Sequence, residues 1–587
     1  MAQRAEPGKA GRLVTFTDGG CMYRLCAVLA APFLLIVATG ATLHTAKQTP
    51  IVKAPIVKLS SGTLRGFFSG GTAVFKGIPY AAPPVGELRW REPQPVAAWS
   101  GIRDATKPGS ACVQDPSGMD QFLQSLAATY GAPDHFEQLS SSEDCLYLNV
   151  WTPALPPGKP LPVMVWLHGG SNVIGSGSQS AYDGATLASQ GVIVVTINYR
   201  LGVMGFLSHP QLTSESPHHS SGNYGLLDQL AALAWVRANI AEFGGDPGNV
   251  TLFGESAGAI DAGMLVVSPL SAGLFRRVIS ESGPFFGMGQ ATTLAKAEMV
   301  GIEVGRLAQS GSKSPIENLR TLPASKVVQL ITQVVKTQFR GFNPGTPILD
   351  GWVLSQSPAR AFASGAIQKV DLMVGLNGRE FSAVRAVGAK RAQTSAEKDT
   401  SSKKDSLLKT FADAAHPLYG GWTTAAICLY LGEAVFGKNA AVDQAANDML
   451  AACPIGAEAA LTTAHGDKVF LYRFDRSVPG KGEAELGAFH SLELPYVFGA
   501  LQDPTWRWLP FTDVDKDLSR SIRTYWTNFA KTGDPNSPGL PQWPAWKNGE
   551  EGYLAFNRDG KPVTQRQFSP PFCHLAPDRL RKGLMAD

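Results

Sequence analysis

Seven cysteines in 587 residues include no C-x-x-C pair, which excludes zinc-ribbon and thioredoxin-like chemistry. Charge of one sign is also scarce: Lys+Arg 52 against Asp+Glu 48 leaves a formal net charge of +4. An excess that small and scattered argues against nucleic acid as a partner. There is no HExxH, no dinucleotide-type glycine loop at a strand end and no internal repeat, so neither a metal nor an organic cofactor is expected. One N-x-S/T sequon occurs, Asn249-Val250-Thr251. It falls inside a predicted buried strand, where a glycan has no room. Hydrophobic residues at 44% and charged residues at 17% are ordinary globular values, which exclude wholesale disorder and a coiled coil.

Long apolar runs are absent except for Cys26 to Leu43, which carries no charge and follows Arg24, with Arg4, Lys9 and Arg12 upstream. A basic region followed by an apolar run is a secretory signal pattern, and Thr39-Gly40-Ala41 offers small residues for cleavage. Met22 is an alternative start that gives a more usual signal length. The run is also near the ~20 residues needed to cross a bilayer. Residues 1–46 are therefore read as a signal peptide or an N-terminal membrane anchor, with membrane contact only if the segment stays uncleaved. Either way the folded part faces an oxidising, exported compartment.

From residue 50 to 587 the pattern reads as one domain. IVKLSSGTLRGFF and TAVFKGIPYA are strand-like, LPVMVWLHGG and GVIVVTINYR are buried strands, and YGLLDQLAALAWVRANIAEF repeats apolar residues at helical spacing. Strands alternating with helices predict an α/β fold with a large, mostly parallel sheet covered on both faces. Residues 214–222 and 389–406 lack apolar periodicity and read as surface insertions.

Gly254-Glu255-Ser256-Ala257-Gly258 is a G-x-S-x-G pentapeptide between the strand Val250 to Phe253 and a small-residue helix start. A nucleophilic serine needs that setting: a sharp strand-to-helix turn, flanking glycines for space, and a helix N-terminus to favour developing negative charge. The chain order for such a site is Ser, acid, His. His490, in GAFHSLELPYVFG after the strand-like KVFLYRF, is the candidate base, with an ordinary pKa near ~6.5 expected. His416, His465 and His574 read as structural or surface residues. Glu380, after the strand-like DLMVGLN, is the candidate acid that orients His490, and Asp350 competes for the role. The turn His168-Gly169-Gly170-Ser171-Asn172 offers backbone N–H groups which, with that of Ala257, make a candidate oxyanion hole. No Lys-Ser or Lys-Thr follows in P-loop spacing, so phosphate cradling is discounted.

Together with FKGIPYAAPPVGELRW, SEDCLYLNVWTP, VTINYRLGVMGFL and YWTNFAKTGDPN, these motifs resemble the type-B carboxylesterase family, the cholinesterase-like α/β-hydrolases, and within it the bacterial para-nitrobenzyl esterases. The resemblance spans about residues 56 to 575. It implies the α/β-hydrolase fold, a Ser256–Glu380–His490 triad, oxyanion donors at Gly170, Ser171 and Ala257, and a supporting serine at Ser282. It implies a Cys112–Cys145 disulfide and a second bridge, Cys453–Cys573, with Cys428–Cys453 as the rival pairing. Cys21 and Cys26 fall in the address segment. Relatives usually carry Gly or Ala at Ser171 and an aromatic ring at Asn172. Asn172 is expected either to widen the acyl site or to cap its own turn. The loop 113–144 contains Phe122, Tyr130 and Phe136 but no Trp, which argues against holding choline by cation–π attraction. The function implied is a secreted serine carboxylic-ester hydrolase acting on small-molecule esters. The alternatives are a non-catalytic adhesion or binding protein on the same scaffold, or cleavage of amides, lactones or carbamates at the same site.

Overall fold

The computed structural model describes residues 54–583 apart from 116, 133–138, 154, 156–157, 288–290, 310, 395–411, 414, 422, 425–437, 548 and 576–581. The address segment 1–46, Phe136, Cys428 and the later part of the charged run lie outside the described residues. Among the described residues, no helix is long and apolar enough to cross a membrane.

Among the described residues, eleven strands form the main sheet. In chain order they are β1 (Phe67–Ser69), β2 (Thr72–Pro79), β3 (Tyr147–Thr152), β4 (Leu161–Leu167), β5 (Ile193–Ile197), β6 (Gly245–Glu255), β7 (Arg277–Glu281), β8 (Asp371–Asn377), β9 (Val469–Phe474), β10 (Tyr553–Phe556) and β11 (Pro562–Gln565). Their order across the sheet is β11-β10-β9-β8-β7-β6-β4-β5-β3-β2-β1. Every pairing from β10 to β5 is parallel, and the pairings outside that block are antiparallel.

The apolar runs are continuous because both faces of the parallel block are covered. Along β4, Val163, Val165 and Leu167 enter one core while Met164 and Trp166 enter the other. Val195 and Val194 divide in the same way on β5, as do Leu252 and Phe253 on β6. This alternation follows from the period of two in a strand. The first core contains the helix Tyr224–Asn239, and the second contains the helix Asp513–Thr532 through Leu518, Ile522, Tyr525, Trp526 and Phe529.

Two sequence readings need correction. The helix Glu380–Thr394 runs six residues into the segment read as an insertion from 389, because Ala389, Lys390, Arg391, Ala392 and Gln393 are good helix formers. In 214–222, Pro217, His218 and His219 are exposed as expected, but Ser220, Ser221 and Gly222 are buried. Gly222 has φ +106°, and a Cβ there would lie 2.2 Å from Ile348 Cδ1.

Two disulfides form among the described residues. Cys112–Cys145 spans 33 positions and encloses the helix Ser117–Thr129. Cys453–Cys573 ties the helix Cys453–Ala464 to the C-terminal helix Pro571–Leu575, so the Cys428–Cys453 pairing does not stand. Two bridges fit an oxidising compartment. Replacing Cys112 and Cys145 together by alanine should lower the free energy of unfolding by about 3–4 kcal/mol, the chain-entropy value for a loop of this length. Urea titration checks this, and a loss below about 1 kcal/mol would contradict it.

Candidate active site

Strand β6 ends at Glu255, and the chain reverses through a single residue into the helix Ala257–Val267. Ser256 holds φ 54° and ψ −122°, backbone angles that only a tightly packed setting keeps populated in a non-glycine residue. The packing leaves no choice beside it. A Cβ on Gly258 would lie 2.1 Å from the Leu167 carbonyl oxygen, and one on Gly254 would lie 2.6 Å from the Gly258 carbonyl. Ser256 N–H donates to the Glu281 carbonyl at 2.9 Å, which pins the turn to β7. Five of the nine described non-glycine residues with positive φ gather here: Ser171, Asn172, Ser256, Ser282 and Ser491.

Glu380 opens the helix that follows β8. Its N–H donates to Asn447 Oδ1 at 2.9 Å, and its Oε1 accepts from Asn377 N–H at 2.5 Å. Its Oε2 lies 2.6 Å from His490 Nδ1. Asn377 also donates to the Phe489 carbonyl at 2.8 Å, so one amide fastens the acid's turn to the histidine's loop. The other imidazole nitrogen, Nε2, lies 3.1 Å from Glu255 Oε1. Burial lowers the His490 pKa, but the Glu255 and Glu380 carboxylates outweigh it and raise the value to about 10. The ordinary value expected from sequence is corrected by these two neighbours.

Sequence reasoning missed several of these groups. Glu255 is the variable residue of the pentapeptide, and its Oε1 also accepts from Ser491 Oγ at 2.5 Å. Glu493 follows His490 by three residues, and it accepts from Asn377 Nδ2 and, at 3.4 Å, from Ser282 Oγ. Glu281 accepts from Trp526 Nε1 at 2.8 Å, and its second oxygen has no partner. Burial raises Glu493 to about 8 and holds Glu255 and Glu281 above the usual carboxylate range. The signal available was the sequence itself: GES and HSLE place a carboxylate beside each candidate residue.

These groups open onto a cavity of about 830 Å³ lined by Ser256, His490, Glu380, Glu255, Ser282, Gly169, Gly170 and Ser171. Its walls are mainly apolar, among them Phe122, Ile174, Val328, Ile331, Phe342 and Trp506. Ala257 opens the helix that follows Ser256, so its N–H has no acceptor within that helix. Trp506 supplies the cavity with an indole that the loop 113–144 lacks, so the argument against choline from that loop does not describe the cavity. Tyr130 of that loop instead donates to the Val478 carbonyl at 2.9 Å.

Asn172 is not a wall of the cavity. It is 3% exposed and points behind the turn, where its Nδ2 donates to Asp261 Oδ1 at 2.9 Å and to the Gly345 carbonyl at 3.2 Å. It points away from the acyl site, as one expectation has it, but it bonds across elements instead of capping its own turn. Asp350 accepts from Ser220 Oγ at 2.8 Å and from the N–H groups of Trp352 and Leu354. It organises a turn and makes no contact with His490. His465 Nε2 lies 2.5 Å from the Phe362 carbonyl, His574 sits 3.5 Å from Glu551, and His416 is exposed on a helix.

The two carboxylates beside His490 predict how its ring titrates. In histidine-labelled protein assigned with His490→Gln, its NMR signal should titrate well above pH 6.5, and Glu255→Gln should move the midpoint down. A midpoint at or below 6.5 that is indifferent to Glu255→Gln would contradict the geometry.

Residues 53–573 match the model of the family described as "Carboxylesterase family". The chain is 36% identical to the fumonisin B1 esterase of Sphingopyxis macrogoltabida over 502 residues, 83% of this chain and 84% of that protein. It is 37% identical to the para-nitrobenzyl esterase of Bacillus subtilis (strain 168) over 504 residues, 84% of this chain and 92% of the relative. Among solved structures, a PNB esterase aligns with TM-score 0.71 at 32% identity, covering 91% of this chain and all of that one (100%). A carboxylesterase of Geobacillus stearothermophilus at pH 6.2 aligns with TM-score 0.72 at 32% identity, over 90% and 99% of the two chains.

Proposed function

The chain belongs to the carboxylesterase family and is a carboxylesterase with the α/β-hydrolase fold, and from that premise we propose that it works as a serine hydrolase through Ser256, His490 and Glu380. The observation that carries this reading is the strained Ser256 turn opening onto the same cavity as an imidazole whose Nδ1 is held 2.6 Å from a buried carboxylate. Ser256 Oγ attacks the ester carbonyl carbon while His490 Nε2 takes its proton. Glu380 keeps the proton of Nδ1 in place and stabilises the imidazolium. The N–H groups of Gly170, Ser171 and Ala257 hold the oxyanion of the tetrahedral intermediate. His490 then protonates the departing alcohol, leaving an acyl group on Ser256. Water repeats the sequence, giving its proton to His490, and releases the acid.

Nε2 lies 3.1 Å from Glu255 Oε1. Substrate draws the ring onto Ser256 Oγ, in line with the tightening of catalytic hydrogen bonds on substrate binding, and the Nε2 proton stays on Glu255, so that neutral Nε2 acts as the base. Ser282 and Glu493 act at a remove, steadying the loop that carries His490. The apolar walls suit esters with neutral acyl and alcohol parts. The charged side chains among the described lining residues are Asp115, Glu255, Glu380 and His490, a set that disfavours an anionic acyl group. The two bridges support export, with residues 1–46 as signal peptide or anchor, and N-terminal sequencing of the exported protein decides between cleavage and anchoring.

The test is steady-state hydrolysis of a neutral p-nitrophenyl ester. Ser256→Ala and His490→Ala should each lower kcat by about 10⁴–10⁶-fold, as loss of triad members does elsewhere. A half-ester of a dicarboxylic acid should be the poorer substrate of the wild type. Retained activity in Ser256→Ala would overturn the mechanism, and a preference for the anionic half-ester would overturn the substrate reading.

A further inference from the structure

Behind the turn 168–172 lies a buried polar cluster for which the proposed chemistry has no use. Asp261, on the helix that follows Ser256, is fully buried. Its Oδ1 accepts from Asn172 Nδ2 at 2.9 Å, and its Oδ2 accepts from Gln229 Nε2 at 2.6 Å. The same Asn172 amide donates to the Gly345 carbonyl at 3.2 Å. Asn172 Oδ1 faces the Tyr199 hydroxyl at 3.1 Å, and that hydroxyl also lies 2.7 Å from the His168 carbonyl. The Tyr199 ring stacks on His168 with centroids 4.5 Å apart. Burial raises Asp261 to about 7 against the opposing hydrogen bonds from Asn172 and Gln229.

The turn needs such support. Gly170, Ser171 and Asn172 take φ of +106°, 57° and 57° in succession. Glycine adopts that region freely, but Ser171 and Asn172 do not, and strained residues persist only where their surroundings over-determine them. The surroundings are specific. Asn343 Nδ2 donates to the Ser171 carbonyl at 3.1 Å, and a Cβ on Gly345 would lie 2.6 Å from that same oxygen. Asn343 and Pro344 in turn line the cavity. One side chain, Asn172, therefore joins three pieces: the turn, the nucleophile helix and the cavity wall 343–345.

We propose that Asn172 is a positioning residue, whose amide, locked by Asp261, Gly345 and Tyr199, holds the N–H groups of Gly170 and Ser171 in register with Ser256. This rests on the serine-hydrolase reading above. A turn released from Asn172 still binds ester but presents its donors off the oxyanion position, so the loss falls on kcat and leaves KM nearly unchanged.

The experiment compares Asn172→Ala, Asp261→Leu and Asp261→Asn with the wild type, using a p-nitrophenyl ester and counting competent sites by phosphonate titration. Per titrated site, Asn172→Ala and Asp261→Leu should lose about 10–100-fold in kcat, the scale of an ångström-level misplacement, with KM within about threefold. Asp261→Asn should stay within about threefold of the wild type. Its amide oxygen still accepts from Asn172, while the Gln229 amide, which donates through Nε2 in the wild type, flips so that Oε1, without a partner there, accepts from the new NH₂. If Asn172→Ala does not fold, the contrast between Asp261→Leu and Asp261→Asn carries the test. Wild-type kcat per site in Asn172→Ala, or equal loss in Asp261→Leu and Asp261→Asn, overturns the proposal. Activity surviving in Ser256→Ala would instead sink the serine-hydrolase reading, so the two failures are told apart.

Discussion

The close approach of the Ser256 turn to the end of β4 sets the rest of the site. Gly258 lies so near the Leu167 carbonyl that any side chain would enter it, and Gly254 packs against Gly258 too closely for a Cβ. The helix after Ser256 can therefore leave the sheet in only one direction. That direction places Ser256 at the carboxyl edge, where β4, β7 and β8 also deliver the glycine turn, Ser282 and Glu380. In open α/β sheets this edge is where ligands bind. The parallel order of the strands is thus the means by which residues more than a hundred positions apart reach one cavity.

A second constraint is electrostatic. Three buried carboxylates, Glu255, Glu380 and Glu493, act on one imidazole. Burial raises Glu255 and Glu493 above the usual carboxylate range, while the same carboxylates raise His490. Glu255 has a double part in the proposed account: it raises the basicity of His490, and it competes with Ser256 for Nε2.

Much of this was legible in the sequence where local chemistry is strict. The Ser256 turn is written in five residues because few other residues fit that backbone. The buried strands were readable because continuous β-branched and apolar runs have few other homes. Glu380 and His490 followed from chain order and strand context. What sequence did not reveal depends on contacts made across the fold. Asn172 read as either a wall of the acyl site or a cap on its own turn, yet its partners lie 89 and 173 residues away. Asp350 was a credible acid until the fold assigned it to a turn beside Ser220. The value expected for His490 did not include Glu255, whose approach to Nε2 is made only by the fold.

The most direct measurement is mass spectrometry of the protein after reaction with a serine-directed alkyl phosphonate ester. The account predicts one phosphonyl group per chain, on the peptide containing Ser256, with ester hydrolysis lost in proportion to labelling. Inactivation with the label on another residue, or full activity with Ser256 labelled, would contradict it.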